Sequence, residues 1–313
     1  MSRFDIAIAG EINLDIILYG LPTDLPLERE LLAERCMVTL GSSSAILAHN
    51  LSVLGSRVGF VTRVGEDPLG KISLERLTEG GVDLSRIVRS AGPATTGLTL
   101  VLQHGQGRRM LTYPGTMFEM RFEDLDLDYL ASARHFHLSS FFLHRSLRDR
   151  IPELFRRMKA AGLSTSMDTN DDPEDRWDGP LHQALPYVDV LLPNQREATK
   201  IAGVDDLDGA LNALSEQVPT VVVKMGSRGA MACRQGQRVT EPALPVEALD
   251  AVGAGDSFNA GFLYRYLQGA DLATCLRWGN LAGAFSTTRP GGTEAFRDRA
   301  AWQEFLRKHG ARD

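Results

Sequence analysis

The sequence predicts an α/β fold, a doubly wound, mostly parallel central sheet flanked by helices and carrying a small β-sheet lid. Three observations lead there. Short apolar runs (Phe4–Gly10, Val58–Gly65, Val188–Leu192 and one beginning at Val221) alternate with helix-period segments, as strands covered on both faces must. Two β-rich stretches, about 16–40 and 95–115, lack an intervening helix and break that rhythm. Late in the chain, the small residues Gly253-Ala254-Gly255 feed directly into a helix pattern. One domain over 1–313 is expected, with the lid inserted from the two β-rich stretches.

The first strand, Phe4–Gly10, runs into Glu11-Ile12-Asn13-Leu14-Asp15, polar groups at the carboxyl edge where open α/β sheets bind ligands. Asn13 and Asp15 are two apart on an extended segment and so share a side; a plain polar turn is the alternative. Ile16–Tyr19 and Cys36–Leu40 read as lid strands. Gly41-Ser42-Ser43-Ser44 then opens a helix with Ala45, Leu47, Ala48, Leu51 and Leu54 apolar and Gly55 as its stop. Its serines either donate to ligand hydroxyls or simply cap the helix. Val58–Gly65 is followed by a turn with Pro68 and a helix to Gly80. Thr95–Gln103 and Arg108–Tyr113 form a hairpin around His104-Gly105-Gln106-Gly107, with Arg108 and Arg109 read as solvated.

From residue 134 the strand–helix alternation resumes with strand His135–Ser140, an amphipathic helix Ser146–Ala161 and strand Ser164–Asp168. At that strand's tip, Asp168 and Asn170 are candidates for holding hydroxyls or a hydrated Mg²⁺, unless the acidic cluster is only a solvated turn. His135 and His137 lack a third ligand at matching spacing and read as packing or hydrogen-bonding groups. After strand Val188–Leu192, Asn194 and Glu197 share one face of a helix start, which is also the pattern of a capping box. Lys224 ends the next strand before a turn bounded by Gly226 and Gly229; its ammonium approaches a phosphate or its stem covers the sheet end. A helix over Leu272–Thr288 carries Asn280 among small residues that admit a flat ring or ordinary helix packing.

A formal charge of −6 argues against a nucleic-acid partner, which needs a basic face. No apolar run approaches the roughly 20 residues of a membrane span. The three cysteines share no ligand spacing, and with no signal segment recognisable they fit a cytoplasmic protein.

The chemistry concentrates at Asp250–Gly261. Small residues at 253–255 leave backbone N–H groups uncovered at a helix start, where the helix dipole also favours an anion. Asp256 there is either a helix cap or a carboxylate with a task, such as accepting a proton from a nucleophile. The string Asp250-x-x-Gly253-Ala254-Gly255-Asp256-x-Phe258-x-Ala260-Gly261 resembles the C-terminal motif of the ribokinase-like (PfkB) carbohydrate kinases. Asn13-x-Asp15 and Asn194-x-x-Glu197 extend the resemblance, in family order, along the whole chain.

That resemblance implies ATP- and Mg²⁺-dependent phosphorylation of a sugar hydroxyl. Asp256 would be the base and the amides of Gly253, Ala254 and Gly255 the anion hole. Asn13, Asp15, Gly41, Ser42 and Ser43 would meet the sugar. Asn194, Lys224, Gly226, Gly229 and Asn280 would line the nucleotide, Glu197 would hold Mg²⁺ through water, and Asp250 a monovalent cation such as K⁺. Lids in many members also mediate homodimers. Departures are Ala251 for the usual Thr, Ser42 for a second Gly, Ile46 for an Asn and Lys224 for a Thr. No Lys or Arg stands at 42–46 to neutralise a second phosphate, so an unphosphorylated sugar or polyol is the expected acceptor. The chain has no P-loop, and a dinucleotide fingerprint fails for want of a Gly at 258. A nucleoside kinase of the same fold and a non-catalytic sugar-binding or regulatory protein remain as alternatives.

Overall fold

The computed structural model describes residues 2–90, 92–104 and 107–311. Its first half runs β1 (Phe4–Ala9), β2 (Asn13–Leu21), β3 (Arg35–Leu40), α1 (Ser43–Leu54), β4 (Val58–Val61), β5 (Arg63–Gly65), α2 (Pro68–Gly80), β6 (Val88–Ser90), β7 (Gly97–His104) and β8 (Gly107–Tyr113). Then follow α3 (Leu127–Ala131), β9 (Ala133–Ser139), α4 (Ile151–Ala160), β10 (Ser164–Asp168), α5 (Pro180–Ala184), β11 (Val190–Leu191), α6 (Gln195–Ala202) and α7 (Leu207–Ser215). The chain closes with β12 (Thr220–Lys224), β13 (Ala230–Arg234), β14 (Gln237–Glu241), α8 (Ala254–Leu267), α9 (Leu272–Ser286) and α10 (Arg299–Lys308).

The central sheet has the order β14-β13-β12-β11-β10-β9-β1-β4. It is parallel from β12 to β4, and β13 and β14 add an antiparallel edge. Side chains alternate across it. On β1, Ile6 and Ile8 pack into the cluster that contains Leu47, Phe258, Phe262, Leu276 and Trp302. Ala7 and Ala9 face the opposite cluster, with Leu154, Phe155, Leu181 and Leu211. Both faces are thus covered by helices, which is the doubly wound arrangement the apolar strands predict. A separate four-stranded sheet, β3-β2-β7-β8, rises from the carboxyl end of β1. Every residue of β8 is exposed.

Several boundaries differ from the sequence reading. The helix expected over 146–161 begins at Ile151, because Pro152 lacks an N–H and fits only the first turn. Helix α8 begins at Ala254, three residues before the expected Ser257, which places Asp256 inside its first turn. Val58–Gly65 divides at Thr62 into β4, in the central sheet, and β5, which pairs with β6. β14, α7 and α10 were not foreseen. The hairpin residues Gly105 and Gln106 lie outside the described residues; β7 and β8 pair antiparallel on either side of them.

Candidate active site

The carboxyl ends of the parallel strands gather the candidate residues along one edge. Helix α8 lays its N-terminus over that edge. Gly253 precedes it with φ 71°, a left-handed conformation that favours glycine, and no side chain caps the helix. A Cβ on Gly253 would fall 2.6 Å from the Gly292 Cα, so the turn and the 289–293 loop touch backbone to backbone. Asp250 braces this corner. Its carboxylate accepts hydrogen bonds from the Tyr19 hydroxyl (3.0 Å), the Val252 N–H (3.0 Å) and the Gly291 N–H (3.1 Å).

Asp256, in the first turn of α8, is half-buried. Burial pushes its carboxyl up to about 7, and the Asp168 charge adds to that rise, while Lys224 and a hydrogen bond from Ser43 oppose it. A carboxyl poised near neutrality is suited to taking a proton from an alcohol. Lys224 donates to Asp168 Oδ2 (2.5 Å), and a Cβ on Gly255 would lie 3.8 Å from its Nζ. Burial disfavours the Lys224 charge, yet Asp168, Glu197 and Asp256 together hold its proton more tightly than usual. Asp168 is fully buried and also accepts from Asn259. Its carboxylate therefore serves Lys224 rather than facing open space.

On the side nearest the small sheet, Asn13 and Asp15 are both buried. The Asn13 amide nitrogen donates to Thr99 Oγ1 (2.8 Å) and Asp15 Oδ1 (3.2 Å), and its Oδ1 has no hydrogen-bond partner. A Cβ on Gly41 would sit 2.2 Å from Asp15 Oδ1 and 2.6 Å from Asn13 Oδ1. Glycine at 41 therefore leaves two acceptor oxygens uncovered side by side. Burial, then the Asp256 and Asp250 charges, push the Asp15 carboxyl up to about 7, although Asn13 and Arg108 pull the other way. Arg108, read from sequence as merely solvated, borders a pocket that also contains Gln103 and Asp250. The Ser42 hydroxyl is taken by the helix start: it donates to the Glu11 carbonyl (2.6 Å) and accepts from the Ala45 N–H (3.3 Å).

At the start of α8, a cavity of about 430 Å³ is lined by Lys224, Gly226, Gly229, Gly255, Asn280 and Thr287, among others. That is large enough for a small ligand. Gly229 is required there, since a Cβ would lie 2.1 Å from the Glu241 carbonyl oxygen. Asn280 donates to the carbonyls of Glu241 and Pro242. Asn194 and Glu197 form a reciprocal capping box at α6, and Asn194 pairs in register with Lys224. Glu197 is buried; burial first, then the Asp168 charge, raise its carboxyl above the ordinary range. No group of three His, Cys, Asp or Glu suited to hold a metal occurs among the described residues. The oxygens present fit a cation carried by a ligand's phosphates and reached through water, which is how Mg²⁺ is usually held.

Sequence reasoning missed three residues that build this site: Glu11, Ser140 and Asn259. Glu11 directly follows the first strand and Asn259 lies inside the Asp250–Gly261 string, so both had a positional signal. Ser140 had none.

A mostly parallel sheet with a separate small sheet at its carboxyl edge is the architecture of the ribokinase fold. The profile of the pfkB family carbohydrate kinases matches residues 5–299, and the chain belongs to that family. An uncharacterized sugar kinase of Archaeoglobus fulgidus is 30% identical over 249 residues, covering 78% of this chain and 96% of that protein. A nucleoside kinase of Methanothermobacter thermautotrophicus is 29% identical over 242 residues, covering 76% of each. Among solved structures, a putative ribokinase II from E. coli in its apo form superposes with a TM-score of 0.86 at 25% identity, covering 97% of this chain and 99% of that one. The structure described as that putative ribokinase II with ATP and Mg²⁺ gives 0.83 at 25% identity, with the same coverage. The chain is accordingly an ATP-dependent carbohydrate kinase of mostly parallel α/β architecture. No helix among the described residues is long and apolar enough to cross a membrane.

Proposed function

We propose that the protein transfers the γ-phosphoryl group of ATP to a hydroxyl of an unphosphorylated sugar or polyol, with Asp256 as the base. The observation that carries this reading is the pair of neighbouring acceptors at Gly41, Asn13 Oδ1, which has no partner, and Asp15 Oδ1, apart from the 430 Å³ cavity lined by Gly255 and Lys224. Two adjacent acceptors match the donors of neighbouring hydroxyls, and an unsatisfied buried oxygen is costly until such a donor arrives. The acceptor hydroxyl lies against Asp256, which takes its proton as the oxygen attacks the γ-phosphorus and the bond to the bridging oxygen of ADP breaks. The amides of Gly253, Ala254 and Gly255, with the helix dipole, stabilise the charge on the transferring group. Lys224 faces the same group from the nucleotide side, while Gly226, Gly229 and Asn280 shape the cavity. Mg²⁺ carried by the ATP phosphates would supply further charge neutralisation, and Glu197, which with Asn194 closes the capping box of α6, would hold it through water. Asp250 is assigned to K⁺; equal turnover in potassium and choline buffers would remove that assignment.

The small sheet acts as a lid that excludes water from the transfer, all within one domain. Its exposed Met110, Leu111 and Tyr113 mark the face of a homodimer, testable by light scattering. The unpaired cysteines fit a cytoplasmic protein. ADP release across neutral sugars, sugar acids, polyols and nucleosides tests the reaction. One strong neutral acceptor is expected. A nucleoside as the sole acceptor would favour the second reading, which the nucleoside kinase relative supports. Tight sugar binding without turnover would favour a regulatory role.

A further inference from the structure

Three non-glycine residues with left-handed backbone, Ser42 (φ 69°), Ser140 (φ 55°) and Asn170 (φ 51°), come from three different segments, and two of them, Ser140 and Asn170, meet at Ser43, the residue after Ser42. Such conformations persist where the surroundings enforce them, and they cluster at functional sites. The hydrogen bonds between the segments say what is enforced. Asn170 Nδ2 donates to Ser43 Oγ (2.6 Å) and to Ser140 Oγ (2.8 Å). An amide nitrogen has two hydrogens, and both are committed here. Each serine, having accepted, has a single hydrogen left. That of Ser140 goes to Glu11 Oε1 (2.7 Å), and the Ser43 hydroxyl adjoins Asp256 and favours its charged form. Glu11 is buried and anchored in turn to the start of α1, accepting from Ser44 Oγ (2.5 Å). Every hydrogen from Asn170 to Glu11 therefore has one direction, and the one hydrogen left on Ser43 is available to Asp256.

We propose that this chain is a positioning relay for the catalytic carboxylate: Asn170 sits at its fork and aims the Ser43 hydroxyl at Asp256, while Glu11 fixes the far end. The proposal rests on Asp256 being the base. It gives Asn170 a different task from gripping the sugar, because both its amide hydrogens already point at serines. None of the relay residues need touch the acceptor. Their effect reaches the chemistry by holding one Asp256 oxygen on Ser43, so that the other is presented to the hydroxyl. Besides Ser43, the charged groups facing Asp256 are Asp168, Lys224, Glu11 and, across the pocket, Asp15.

Two glycine variants separate this role from mere structural support. In Ser140→Gly and Asn170→Gly the left-handed backbone becomes unstrained, so unfolding temperatures should stay close to that of the parent. With the fork broken, kcat should fall about tenfold or more while the KM for ATP holds. The direct readout is the pH midpoint of the Asp256 carboxyl, followed by ¹³C NMR on aspartate-labelled protein and assigned by its loss in Asp256→Asn. The midpoint should rise in Asn170→Gly, because the Ser43 donor is no longer aimed, and fall in Glu11→Gln, because a neighbouring negative charge is gone. Midpoints unmoved in all variants would overturn the relay. So would unfolding temperature and turnover dropping together with the midpoint in place. If the parent phosphorylates nothing in the panel, the kinase reading fails, and the NMR midpoints still decide the relay.

Discussion

Two histidines at the centre of the sheet should make the protein acid-labile by a calculable amount. His135 and His137 on β9 are completely buried and lie in a ladder of serines. His135 bonds Ser164 Oγ and Ser166 Oγ (2.7 Å each), and His137 bonds Ser166 Oγ (2.7 Å) and Ser139 Oγ (2.8 Å). A hydroxyl serves each ring as donor or acceptor, so both rings are satisfied while neutral. Burial pushes both down to about 3; His137 further disfavours a proton on His135, and Lys224 disfavours charge on His137. In the unfolded chain they titrate near 6.5. Below that pH the unfolded state binds protons that the folded state refuses, so stability falls as pH falls. At pH 5 each histidine costs about 1.5 × 1.36, or roughly 2 kcal/mol, and the pair about 4 kcal/mol.

Asp15 and Asp256 pull the other way. Their folded values near 7 exceed their unfolded ones, so they add stability as pH falls from 7 toward 4. The wild-type curve alone would therefore mix opposing effects. The difference between wild type and His135→Gln/His137→Gln isolates the histidines, since the carboxyls are common to both. Urea unfolding at pH 7.5 and 5.0, followed by tryptophan fluorescence, should show wild type losing about 4 kcal/mol more than the double variant. Equal losses would refute the reasoning and mean that the folded ladder accepts protons.

Other expectations follow from the same geometry. Asp256→Asn should lower kcat by about 10²–10⁴ with acceptor binding by calorimetry retained, and wild-type kcat/KM should fall as pH drops below about 7, where the base becomes protonated. Lys224→Met strands the Asp168 carboxylate in the core and should cost about 3–5 kcal/mol in urea unfolding; adding Asp168→Asn should recover most of the stability. Gly253→Ala forces a side chain onto a left-handed residue and against the Gly292 backbone, so it should cost about 1–3 kcal/mol and slow turnover sharply in the ADP-release assay.

The sheet's strands were legible because parallel strands covered on both faces read as continuous apolar runs, and Phe4–Gly10 is such a run. What sequence could not show was which polar side chains at the strand tips would be turned inward. Asp168 and Asn170 occupy one tip, yet Asp168 ends fully buried against Lys224 while Asn170 reaches Ser43 and Ser140. Their partners come from residues tens of positions away, and no local pattern encodes such pairings. The short elements β14, α7 and α10 escaped for a different reason: tertiary packing, more than propensity, sustains brief segments. Lys224 was recognisable as a departure, but its place among Asp168, Glu197 and Asp256 required the fold.

The Tyr19–Asp250 bond makes the small sheet and the turn at Gly253 mechanically interdependent. Tyr19 belongs to β2, whereas Asp250 also holds the amides of Val252 and Gly291, on either side of the turn at Gly253. If β2 swung outward, a buried carboxylate would lose one of three donors, at about 1.5–3 kcal/mol. That cost works as a latch: the turn at Gly253 is fully braced only while the sheet is down, so on the proposed reading of that turn an open molecule is the one least equipped to waste ATP on water.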